Sequence, residues 1–161
     1  MVFFTVNAGT IRGQVFHPYC DEMIRIEKMA WTVETLSAAL LQSATLDVNI
    51  QREADALILT LDDYGDLQLN VLLTSRQIII ETYICPLNEI KHQDAFNAFL
   101  LRNQKLLPLS SVGISPVGGE EYYVAFGALS LNSSIDDILL EITTLAENAL
   151  DLAELTDDFT Q

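Results

Sequence analysis

Three aspartates beside a glycine, Asp62, Asp63 and Asp66 with Gly65, are the first residues whose types and spacing could do chemistry, since clustered carboxylates can hold a hard cation. A calcium loop of the EF-hand kind also needs oxygen ligands at further set offsets and a closing bidentate glutamate, which are missing. The segment therefore reads as a solvated hairpin turn. His17, His92, Cys20 and Cys85 stand too far apart, and are too few, for a zinc site. Cys85 precedes Pro86 with no basic neighbour to lower its pKa, so it reads as a small core residue. Ser110 and Ser111 lack the strand, Gly-x-Ser-x-Gly and helix context of an activated nucleophile. Gly113, Gly118 and Gly119 are followed by Glu120 and Glu121, which would repel a phosphate, instead of the Lys and Ser or Thr of a phosphate-cradling loop. The triplet Asn132, Ser133, Ser134 matches a glycosylation acceptor but reads as a helix cap in a chain without a secretory signal. No catalytic, cofactor or metal residue is assigned, and the chain is read as non-enzymatic.

What remains is a surface. At the α-helical period, residues 134–158 place Ile135, Ile138, Leu139, Ile142, Leu145, Ala146, Ala149, Leu152 and Ala153 on one stripe. Asp136, Asp137, Glu141, Glu147, Asp151 and Glu154 fall on the other side, an acidic face. The formal charge of the chain is −15, and residues 29–161 carry all of it, with 5 basic against 20 acidic side chains. After Lys105 no Lys, Arg or His follows. Such a field disfavours nucleic acid and anionic lipid and favours basic peptides, basic protein patches or cations as partners. Glu141, Glu147 and Asp151 are the acidic candidates for that contact, and Tyr122, Tyr123, Phe126, Phe96 and Phe99 the aromatic ones.

The elements that must position these residues follow from pattern. Thr32 with Glu34 in the first turn opens a helix to about residue 43, with Trp31 before the cap and Val33, Leu36, Leu40 and Leu41 turned inward. Residues 48–52 form a lead-in to a strand over 56–62, in which Leu57, Leu59 and Leu61 share a face. Leu67, Leu69, Val71 and Leu73 alternate in the next strand, and 78–85 is a third that Pro86 ends. Residues 94–107 read as a helix burying Ala95, Phe99, Leu100 and Leu106, with His92 exposed near its start. Strands 113–117 and 121–128 meet at a Gly118-Gly119 hairpin tip, with Tyr122, Val124 and Phe126 on one face. Ser134 and Asp137 begin the last helix as a capping box. The reading is an α+β domain, an antiparallel sheet covered by helices, in the order α-β-β-β-α-β-β-α.

At 161 residues the chain suits one domain over residues 29–161. Residues 1–28 are neutral, with apolar pieces at 2–6 and 11–16 that could pair as a hairpin. They read as an N-terminal extension, with Met29 as a candidate natural start. Two cysteines do not make a disulfide framework, the terminus lacks a basic n-region, and no window approaches the roughly 20 apolar residues of a membrane span. A cytoplasmic protein without membrane insertion is expected.

The stretches MAWTVETL (29–36), KLLPLSSVGI (105–114), GGEEYYVAFGALS (118–130) and LLEITTLAENALD (139–151) resemble the YjfI-type family of bacterial cytoplasmic proteins of uncharacterised function. The element order also resembles the type III secretion chaperone fold, shared with YbjN-type proteins. That likeness implies a chaperone-like or adaptor-like homodimer that holds an extended client segment in apolar grooves and on sheet edges. A fold does not establish a function. The alternative is a small-ligand-binding regulator or an enzyme with a pocket between sheet and helices.

Overall fold

A computed structural model describes residues 30–160. The expectations for residues 1–28, among them the hairpin, Cys20 and His17, lie outside the described residues, as does Met29.

Helix α1, Val33–Gln42, starts where expected: the Thr32 hydroxyl accepts from the Thr35 amide, and Thr35 returns a bond to the Thr32 amide. Val33, Leu36, Ser37 and Leu40 point inward, but Leu41 is 57% exposed, because it lies one residue past the stripe. Trp31 is tied to the segment just before the last helix, about 100 residues further along the chain. Its amide donates to the Leu131 carbonyl at 3.0 Å and its indole Nε1 to that of Ser133 at 2.9 Å.

Six antiparallel strands follow in sheet order β1-β2-β3-β4-β6-β5: β1 Val48–Arg52, β2 Ala56–Leu61, β3 Leu67–Leu73, β4 Gln77–Pro86, β5 Ser111–Val117 and β6 Glu120–Ser130. Residues 48–52 are thus a full strand, pairing Val48 with Leu61 and Arg52 with Leu57, so four strands, not three, precede the second helix. Alternation holds well: Leu57, Leu59, Leu61, Leu69, Val71, Ile78 and Ile80 are all fully buried on one face. Gly118 and Gly119, at φ 59° and 95°, make the tight β5–β6 turn that only glycine enters without strain. The aspartate cluster forms a short 3-10 turn, Asp62–Tyr64, closed by left-handed Gly65, and the Asp62 carboxylate accepts from Asn49 Nδ2. Among the described residues no group of three or more His, Cys, Asp or Glu could hold a metal ion.

Helix α2 spans Gln93–Asn103, flanked by 3-10 turns at Leu87–Glu89 and Gln104–Leu106. Its buried residues are Phe96 and Leu100, whereas Ala95, Phe99 and Leu106 lie at the surface. The helix ends earlier than the pattern suggested, at Asn103, and it docks at a corner, so only a narrow stripe is covered.

Helix α3, Ile135–Thr160, opens with Ser134 and Asp137 as a reciprocal capping box. Ile138, Ile142, Leu145, Ala149 and Leu152 pack on the sheet, each buried Ile or Leu side chain contributing roughly 1.5–3 kcal/mol. Ala153 is exposed instead, since the contact stripe runs 138–142–145–149–152–156 and leaves it on the outer flank. The described helices all pack on one face of the sheet. The other face is bare of them.

Candidate binding surfaces

The strand register divides β6 in two. Tyr123, Ala125 and Gly127 face the helices; Tyr122, Val124 and Phe126 face the bare side. There the half-buried Tyr122 meets Tyr83 edge-on at 5.9 Å, and Phe126 lies over Gly113, where a Cβ would stand 3.3 Å from its ring. Glu81, opposite Phe126, accepts from the Tyr83 hydroxyl at 3.4 Å, and Glu120 lies farther along the same face. Tyr83, 39% exposed, was not singled out from the sequence. It comes to this face through the β4 register, which shifts between Tyr83 and Cys85, so that Cys85 turns to the helices after Ile78, Ile80 and Thr82. Burial, with Glu89 nearby, pushes the Cys85 thiol up to about 11, in keeping with a core thiol.

Three of the sequence candidates are interior. Phe96, 1% exposed, meets Tyr123 edge-on at 4.9 Å and Phe159 at the same distance. Tyr123 is 2% exposed and its hydroxyl donates to Asn97 Oδ1 at 2.8 Å. Neither side chain can meet a partner in this fold. Glu141 corrects the expectation most sharply: it is 4% exposed and faces the sheet, not solvent. A Cβ at Gly127 would coincide with its carboxylate, so Gly127 is the glycine that admits it. Its Oε1 is buried without a hydrogen-bond partner among the described residues, and burial raises its pKa. The helical wheel placed Glu141 with the acids because it sits beside the stripe; the width of the sheet decides that it is covered. Phe99 is 37% exposed with its ring 6.0 Å from Phe159. Glu147 and Asp151 are exposed on α3, as expected, together with Asp136, Asp137 and Glu154. The candidates therefore do not form one surface.

A second place emerges at the corner between α2 and β5. A cleft of about 280 Å³ is lined by Leu100, Leu101, Val112, Ile114, Asn97 and Tyr123. Its polar groups bond each other, leaving an apolar hollow. The loop behind it is held by Asn148, buried in α3, whose Nδ2 donates to the Pro108 carbonyl at 2.9 Å and to Ser110 Oγ at 2.8 Å. Gln104 acts as a surrogate strand: its Nε2 donates to the Ser110 carbonyl and its Oε1 accepts from the Val112 amide, both at 3.1 Å. An Asn within an apolar stripe is the one sequence signal that could have marked this anchor.

Residues 30–160 match the bacterial family described as "Uncharacterized protein conserved in bacteria (DUF2170)". The chain belongs to the DUF2170 family. It is similar to the uncharacterized protein YjfI of Escherichia coli strain K12, 57% identical over 131 residues, which cover 81% of this chain and 98% of that relative. The YjfI protein of Escherichia coli O157:H7 matches at the same identity and coverage. Both relatives are named as uncharacterized, so the match carries no activity. No described helix is long and apolar enough to cross a membrane.

Proposed function

We propose that this member of the DUF2170 family is a non-enzymatic protein-binding module, chaperone-like or adaptor-like, that holds a basic or extended segment of a partner protein in the cytoplasm. The observation that supports it best is the face of the sheet that no described helix covers. Tyr83, Tyr122 and Phe126 form an aromatic patch there, with Glu81 and Glu120 on the same face. Aromatic side chains offer large contact area at low entropic cost, and the flanking carboxylates suit lysines or arginines on an apolar segment. The layering of helices on one face, in an order close to that of type III secretion chaperones, agrees with this mode.

The exposed acids Glu147 and Asp151 lie on α3, on the opposite layer, and act in this reading through the long-range field. A small-ligand regulator would use the cleft beside α2, whose volume of about 280 Å³ is at the small end for a drug-sized ligand.

Affinity capture from the native organism, at low and at high salt, tests the proposal with the full chain and with Phe126→Glu. The expected result is one stoichiometric protein that is retained at low salt, released at high salt and absent with the variant. Identical recovery with and without the substitution, or recovery of nothing at either salt, would sink it.

A further inference from the structure

The exposed apolar residues are unevenly placed. Of nine large hydrophobic side chains at the surface among the described residues, five belong to α2, the segment leading into β5 and β5 itself: Phe99, Leu101, Leu106, Leu109 and Ile114. Leu101 is 77% exposed and stands beside the cleft that it helps to line. A protruding leucine next to an apolar hollow on the same patch is what a two-fold contact needs, because each copy then supplies both knob and hole.

Charge singles out the same corner. Residues 90–117 hold Lys91, Arg102 and Lys105 against Asp94, a net +2. The preceding residues 30–89 carry two basic and nine acidic side chains, net −7, and the following 118–161 ten acidic and no basic ones, net −10. Two copies of so acidic a chain repel each other over most of their surfaces. Here they meet with little opposition.

The backbone excludes one form of contact. The Val112 amide turns away from β6 toward Gln104, so the alternate residues Ile114 and Pro116 also present their backbone to the free edge. Val112 is already capped, and Pro116 has no N–H. Ile114 is left as the single outward donor, too little for strand addition. The contact must be made by side chains.

We infer that two copies of this chain pair through the α2–β5 corner, Leu101 of each seated in the Leu100, Val112 and Ile114 cleft of the other. The pairing does not rest on the client reading, since the bare sheet face stays open in the dimer.

Sedimentation equilibrium of the full chain should give twice the 17.9 kDa of one copy, and the association should strengthen as salt screens the mutual repulsion. Leu101→Asp and Ile114→Asp should each weaken it by roughly thirtyfold or more, as loss of an interface hot spot does. Leu140→Asp, at a leucine on α3 that is 57% exposed, between Ile114 and Leu101 in exposure, should leave it unchanged. Circular dichroism confirms that each variant is folded. Independently of any variant, hydrogen exchange of the wild-type chain should quicken on dilution in residues 97–114. A single-copy mass at every concentration, a dimer that survives both aspartates, or dilution-sensitive exchange confined to another region would overturn the inference. Client capture weakens with salt and depends on Phe126, so the two ideas fail separately.

Discussion

Glu141 and Gly127 show how much one contact can reorder an acidic sequence. A carboxylate in an apolar helix–sheet interface is stabilised by staying protonated, and its raised pKa follows from burial alone. The sign follows from linkage. A folded pKa above the ordinary 4.5 means that the native state holds the proton more tightly, so this group's contribution to stability is present below 4.5 and is lost as pH rises through the folded value. Glu141→Gln should therefore be more stable than the wild type at neutral pH, by about 1–3 kcal/mol, and the difference should shrink toward zero on acidification below 4.5. Thermal unfolding of both proteins across that range checks it; a gap independent of pH would argue against a buried, titrating carboxyl. Gly127→Ala should cost about 1–3 kcal/mol by overpacking against the Glu141 side chain, and Glu141→Ala should recover much of the loss in a double-mutant cycle.

Among elements, the strand β5 is the informative case. It precedes β6 in sequence but ends at the edge, because β6 inserts beside β4. An edge strand is an aggregation risk, and Gln104 covers its entry while Pro116 removes a donor further on. Gln104→Ala should free the Val112 amide and raise the rate of aggregation under mild heating, followed by light scattering. The loop before β5 is held from α3. Asn148→Ala removes two bonds from a buried site and should destabilise the fold by about 2 kcal/mol in urea unfolding, with faster exchange in residues 107–112. If exchange there stayed unchanged, Asn148 would not be the anchor of the loop.

For the whole molecule, the governing quantity is a charge of −15, all of it carried by residues 29–161. Its self-repulsion opposes the compact state, and raising ionic strength from about 0.01 to 0.15 M shortens the Debye length from roughly 30 to 8 Å. The melting temperature should rise over that interval, as differential scanning calorimetry would record. A fall would mean that favourable pairs outweigh the repulsion. The same charge separates two kinds of association: contact with a basic segment weakens in salt, while pairing of two acidic copies strengthens.

Periodicity and caps were enough to place helix α1 from Thr32, the alternating faces of β2 and β3, the Gly118-Gly119 turn and the capped start of α3, because each depends on neighbours within a few residues. Composition was enough to establish the acidic field. Whether a given side chain on those elements is reachable depended on long-range packing. Leu41 and Ala153 fell outside the contact stripes, Phe96 rather than Phe99 entered the core, and Glu141 was covered by the sheet, because the width and angle of a docking surface are set by both partners. The register that gathers Tyr83, Tyr122 and Phe126 on one face, and the corner that sets Leu101 beside its cleft, likewise join residues far apart in the chain. Local sequence decides what each segment becomes; only the tertiary structure decides which of its side chains meets water.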